Sequence, residues 1–137
     1  MFLGGIMREL ILARITDNSS LIKVNLSSLE IEDDEIIEIM IKIAELKPNL
    51  SKIDLDRNKI GDKGASILSQ YLLDFKQLSE LSVQFNAIGR DGAIYLFSLK
   101  RAFPGLDILF HGNKIHDMGE MIDIEHLAHG NHVKSLG

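Results

Sequence analysis

Asp54 and Asp56 are the residues whose type and spacing come nearest to acid–base chemistry. Two residues apart on one strand, they share a face with Cβ atoms about 7 Å apart, a separation open to paired-carboxylate catalysis. Such a pair also needs an apolar recess to raise one pKa and a nucleophile or base beside it. The surrounding Ile53-Asp54-Leu55-Asp56-Arg57 reads as open strand with neither, so solvated surface charge is the better account and no enzyme is expected. Histidines gather late, at His111, His116, His126, His129 and His132, with His126 and His129 on one helix face. No carboxylate joins them in a ligand pattern. Gly130 is expected to end their helix and leave His129 near its negative pole, so neither a metal nor another cofactor is expected. The chain has no cysteine, which removes disulfides, thiolate zinc sites and cysteine nucleophiles. What remains is recognition, and Phe85 is the residue suited to it, because an exposed aromatic offers a large contact area at small entropic cost.

These residues are positioned by a repeat. Leu50-Ser-Lys-Ile53-Asp-Leu55-Asp-Arg-Asn58-Lys-Ile60-Gly-Asp-Lys-Gly64-Ala65 returns one repeat later as Leu78-Ser-Glu-Leu81-Ser-Val83-Gln-Phe-Asn86-Ala-Ile88-Gly-Arg-Asp-Gly92-Ala93. A later copy is Ile108-Leu-Phe110-His-Gly-Asn113-Lys-Ile115. An earlier one, Leu21-Ile-Lys-Val24-Asn-Leu26-Ser-Ser-Leu29, has Leu29 where the others carry Asn. In each copy the alternation reads as a short strand, and the residues that follow (Ile36, Ile39, Ile43; Ala65, Leu68, Leu72; Ala93, Leu96) have helical spacing. Asp62 is placed to N-cap the second of these helices, and Asp117 with Glu120 resembles a capping box before the last. Pro48 and Pro104 fall where a helix has ended, and residues 6–15 read as a further helix at the start. Neither a lone strand nor a lone helix of this size can bury its apolar face, so the units must stack: a parallel sheet on one side, helices on the other.

The segments Leu50–Ile60 and Leu78–Ile88 match LxxLxLxxNxI, and with the Gly-Asp-x-Gly-Ala of Gly61–Ala65 the chain resembles the leucine-rich-repeat family, ribonuclease-inhibitor-like subclass, over roughly Leu21–Leu127. The resemblance implies an α/β solenoid, a short horseshoe arc with strands on the concave face and helices on the convex face. In that family the Asn ladder, here Asn58, Asn86 and Asn113, is structural. The expected layout is one domain over 1–137: a capping helix or half-repeat (1–20), repeats at 21–49, 50–77, 78–105 and 106–130, and a tail (131–137). Glu35 stands at the Gly64 position and Glu120 at the Ala65 position, as atypical end repeats allow.

Strand residues facing away from the core form columns: Lys23, Lys52, Glu80, Asp107; Asn25, Asp54, Ser82, Leu109; Ser27, Asp56, Gln84, His111; and, at the exit, Ser28, Arg57, Phe85, Gly112. The expected partner-binding set is Lys52, Asp54, Asp56, Arg57, Glu80, Ser82, Gln84, Phe85, Leu109 and His111, with Phe85 either an anchor or folded back over its own loop. A net charge of −5 with interspersed signs lacks the basic stripe of a nucleic-acid binder. The apolar run Met1–Met7 is stopped by Arg8 and Glu9, too short for a membrane span. A protein partner is therefore expected. Resemblance and composition lean toward a bacterial effector, cytoplasmic or acting in a host cytosol. The alternative is a segment of a larger receptor or effector, or a chain that self-associates through its ends, for which Phe2, Leu3 and Ile6 are candidates.

Overall fold

A strand of three residues holds its shape only through its neighbours, and every strand here has that length. The computed structural model describes residues 7–136, with side chains through His129. Strands β1 (Lys23–Asn25), β2 (Lys52–Asp54), β3 (Glu80–Ser82) and β4 (Asp107–Leu109) alternate with helices α1 (Glu9–Thr16), α2 (Ile36–Leu46), α3 (Asp62–Leu72), α4 (Arg90–Phe97) and α5 (Met118–Leu136). The strands form one parallel sheet in the order β1-β2-β3-β4. Lys52 pairs with Lys23 and Glu80, and Glu80 with Asp107, which is the expected column register. Each helix packs on the next in chain order. Between the two layers lies one core, in which Ile53, Leu55, Ile60, Ala65 and Leu68 and their counterparts Leu81, Val83, Ile88, Ala93 and Leu96 are buried. This is the expected α/β solenoid.

The asparagines join the turns. Asn58 Oδ1 accepts from the backbone N–H of Leu29 (3.0 Å) and Ile31 (2.9 Å), while Nδ2 donates to the carbonyls of Leu26 and Leu55 (both 2.9 Å). Asn86 repeats this with Ile60 N–H and the Leu55 and Val83 carbonyls, and Asn113 with Ile88 N–H and the Val83 and Phe110 carbonyls. Each amide thus binds its own repeat to the one before. Leu29 stands first in this series, with no preceding turn to hold, and as an apolar residue it is simply buried.

A second ladder corrects an expectation. Asp62 does not N-cap α3: Gly61 holds that position without a side-chain bond, and the Asp62 carboxylate reaches forward to accept from Gly89 N–H at 2.7 Å. Asp33 does the same for Gly61 N–H at 2.7 Å. This explains two glycines. A Cβ on Gly92 would lie 2.7 Å from Asp62 Oδ1, and one on Gly64 would collide with Asp33 Oδ1 and come within 2.9 Å of Ile60. At the aligned position in the first repeat no earlier aspartate intrudes, so Glu35 fits, and its carboxylate takes Arg8 Nε at 2.8 Å and Glu32 N–H at 3.0 Å.

Other departures occur toward the ends. Leu21, aligned with the buried Leu50, is 64% exposed, with no earlier strand among the described residues to cover it. Space beneath that loop belongs to Lys47, which is buried and donates to the carbonyls of Asp17 (2.9 Å), Ser20 (2.7 Å) and Lys23 (3.2 Å). The first helix is Glu9–Thr16 rather than 6–15, and Phe2, Leu3 and Ile6 lie outside the described residues. Asp117 does cap α5, accepting from Glu120 N–H at 2.8 Å, but Glu120 returns its bond to His116 N–H rather than to the cap itself. Gly130 does not end α5, which continues to Leu136 through most of the expected tail. One glycine costs a helix interior only about 1 kcal/mol, too little to stop it. His129 is therefore not at a helix terminus.

Two substitutions measure these ladders by urea denaturation. Asn58→Ala leaves buried N–H groups unpaired and is expected to cost about 3 kcal/mol. Gly64→Ala, which must displace Asp33 or Ile60, is expected to cost roughly 1–3 kcal/mol.

Candidate partner-binding face

The outward side chains of the strands are knit together across the repeats. Asp54 Oδ1 accepts from Asp56 N–H at 2.9 Å, a turn that Asn25 repeats with Ser27 N–H at the same distance in the first repeat. In β3 the aligned residue is Ser82, and there Asp56 supplies the missing acceptor from the side. Its Oδ1 accepts from Gln84 N–H at 2.8 Å and from Ser82 Oγ at 2.6 Å, and its Oδ2 from Gln84 Nε2 at 3.1 Å. Ser82 is buried under this network, which corrects its expected place among presented residues: a short hydroxyl side chain is covered by the longer side chains beside it. Both carboxylates are thereby engaged in holding the strand exits. Burial raises the pKa of Asp54, against its bond from Asp56 N–H, and the charges of Asp56 and Glu80 add to the rise.

Lys52 and Glu80 stand opposed across β2 and β3, Nζ to Oε1 at 4.0 Å, both partly open to solvent. Leu109 is half-buried and His111 exposed at the far edge. The column as a whole runs from Lys23 and Lys52 to Glu80 and Asp107, basic at one end and acidic at the other.

At the strand exits the chain turns through the left-handed region in every repeat: Ser28, Arg57 and Phe85 have φ of 58°, 58° and 56°, and Gly112 has 81°. Side chains in this row stand side by side. The Arg57 guanidinium lies 4.6 Å from the centre of the Phe85 ring, and on its other side Phe85 meets the His111 ring edge-on at 5.6 Å and 87°. Gly112 leaves room for the ring, since a Cβ there would strike Phe85. Phe85 thus covers Gly112, as the fold-back alternative has it, and still exposes 41% of its surface. It is braced on both sides and open above.

Sequence reasoning missed Lys47 and Arg14. With Lys23, Lys52, Asp54 and Glu80 they line a cleft of about 420 Å³ at the β1 end of the face. Lys47 had a legible signal, because it stands where Phe75 and Phe103 occur in later repeats, a cation at an apolar position.

Residues 47–69 and 77–97 match the family model of the leucine-rich repeat. With the stacked parallel architecture, these matched repeats give the chain the fold of an α/β leucine-rich-repeat solenoid. Among solved structures the chain is similar to the actin-binding site 2 of leiomodin-1, with a TM-score of 0.65 and 18% identity over 85% of this chain and 69% of that one. At that identity the likeness concerns the fold. No curated protein matches the sequence.

Asp54 supplies a pH test. Its raised pKa means that the folded state holds the proton more tightly than the unfolded chain, so ionised Asp54 opposes folding at neutral pH and the opposition fades as pH falls through its folded pKa. Asp54→Asn keeps the acceptor, as Asn25 does. It is expected to raise the thermal midpoint at pH 7, with a gain that shrinks as the pH falls through the carboxylate range.

Proposed function

We propose that this chain is a non-catalytic interaction module that binds a protein partner through its concave strand face, anchored on the row Arg57, Phe85 and His111. The observation that carries the reading is Phe85: a large ring, 41% exposed, in contact with the Arg57 cation and the His111 imidazole. Such a side chain loses little freedom on binding, which is the property of an interface hot spot. Lys52, Asp54, Asp56, Glu80 and Gln84 would form the polar rim that sets orientation and encounter rate, and Leu109 would extend the apolar contact toward β4. The ribonuclease-inhibitor-like motif Gly-Asp-x-Gly-Ala and the composition support a bacterial effector acting on a host protein in the host cytosol. One solved structure similar to this chain is named for actin binding, which makes actin the first purified protein to try.

The test is a pull-down, with purified actin and with host-cell lysate, using wild type and an Arg57→Ala, Phe85→Ala variant. Loss of the ring and its neighbouring contacts is expected to cost only about 1–2 kcal/mol of stability, so the variant should keep the wild-type circular dichroism spectrum. Partner affinity should fall at least about tenfold, as removal of a hot spot requires. Equal capture by both proteins would remove the exit row from the site.

A further inference from the structure

The two ends of the sheet are finished differently. At the β1 edge four of the groups facing away from β2 are satisfied by side chains. Lys23 N–H donates to Ser20 Oγ (3.1 Å), Ser27 N–H donates to Asn25 Oδ1 (2.9 Å), the Asn25 carbonyl accepts from Arg14 (3.0 Å), and that of Lys23 accepts from Lys47 (3.2 Å). Among the described residues the β4 edge has no such cover. In each of the three earlier repeats, backbone N–H groups at equivalent positions point to the next repeat and are taken there. Leu26, Leu55 and Val83 donate to the carbonyls of Asp54, Ser82 and Leu109, and Ser28, Arg57 and Phe85 to those of Asp56, Gln84 and His111. Ile31, Ile60 and Ile88 donate to the amide oxygens of Asn58, Asn86 and Asn113. The corresponding donors of the last strand unit are the N–H groups of Phe110, Gly112 and Ile115, and among the described residues none of them has an acceptor. The apolar layer is uncovered at the same place. Ile108 and Ile115 are half-buried where their counterparts Ile53 and Ile60 are 1% and 0% exposed, and Met118 is 76% exposed. Phe110, Ile115, Met118 and Met121 line a groove of about 410 Å³ along this edge.

We infer that the β4 edge is a second docking surface, which takes an extended peptide segment of a partner chain as a fifth parallel strand. The recognition chemistry follows from continuing the three strand pairings already present. The segment supplies carbonyls to Phe110 and Gly112, alternate aliphatic side chains to the groove beside Ile108 and Phe110, and an amide side chain to Ile115 N–H. Charge adds one requirement. Asp107 lies in register beside Glu80, two carboxylates in succession, and Lys52 answers only Glu80. A basic residue opposite Asp107 completes the column. The fitting pattern is therefore basic, aliphatic, any, aliphatic, then Asn three residues on, as in Lys52-Ile53-Asp54-Leu55 and Asn58 of this chain. The surface adjoins the exit row at Gly112 but draws on the backbone N–H there and not on the side chains of Arg57 and Phe85.

A synthetic peptide copying residues 50–60 is the probe, titrated into the full ¹⁵N-labelled chain. The expected result is saturable shifts of the Phe110, Gly112 and Ile115 amides. The variant Met118→Glu, at the exposed lip of the groove, together with Met121→Glu, checked by circular dichroism to be folded, should bind at least tenfold more weakly, and a peptide with the changes Ile53→Asp and Leu55→Asp should not bind. The Arg57→Ala, Phe85→Ala variant should bind the probe like wild type, which keeps this result independent of the strand-face reading. Absence of shifts up to the solubility limit of the peptide, shifts confined to the strand face, or undiminished binding by the methionine variant would each overturn the proposal. So would concentration-dependent dimers in sedimentation that the methionine variant abolishes, since the occupant would then be a second copy.

Discussion

Three-residue strands leave the turns that follow them with many backbone polar groups to be satisfied, and in this chain much of that task falls on the asparagine after β2, β3 and β4. Asn58, Asn86 and Asn113 each hold carbonyls of two successive repeats and an N–H of the earlier one. Because the amide lies next to the core, an unpaired group there would cost as much as a lost hydrogen bond or more. The strand register, the depth of Leu55 and Val83 and the path of every exit turn follow from these bonds. The aspartate ladder through Asp33 and Asp62 applies the same device at the helix starts, and it dictates glycine at positions 64 and 92 by filling the space a Cβ would need.

Where a ladder runs out, the chain substitutes charge. Arg90 follows Asp33 and Asp62 in that series, and a guanidinium has no oxygen to offer the next repeat. It pairs instead with Asp123 at 2.7 Å, while His116 N–H is taken by Glu120. At the β1 end Arg8, Arg14 and Lys47 hold carbonyls that an earlier repeat would otherwise have met. A long cationic side chain can reach a carbonyl from a helix that does not itself continue the sheet. The β4 edge is left with donors, which call for oxygens, and the described residues there offer none.

The strand face has a different balance. Its carboxylates serve the turns first: Asp56 supports Ser82 and Gln84 of the next repeat, and Asp54 supports Asp56. This leaves the exit row as the part of the face with unspent contact area. There a left-handed backbone, which favours glycine, carries Arg57 and Phe85 and lifts both side chains clear of the core. Backbone strain at such positions is tolerated where the surroundings over-determine the turn, and the asparagine directly after each supplies that constraint.

The repeat period, the parallel stack, the buried aliphatic positions and the structural role of the asparagines were legible in the residues alone. They depend on side-chain type and spacing, and a solenoid makes the same local arrangement return. The columns of the strand face were legible for the same reason, since register follows once the repeats are aligned. What tertiary structure alone decided are the bonds between repeats: Asp62 reaching Gly89 rather than capping its own helix, Asp56 covering Ser82, Lys47 buried under the first loop, and Phe85 seated between Arg57 and His111. Each joins residues about one repeat apart in sequence but adjacent in the stack. The contest between a local and a neighbouring acceptor is settled by where the stacked repeats place each group, which side-chain order does not encode. Helix ends escaped for a related reason, as at Gly130, because a local penalty of about 1 kcal/mol is small beside the packing that extends a helix.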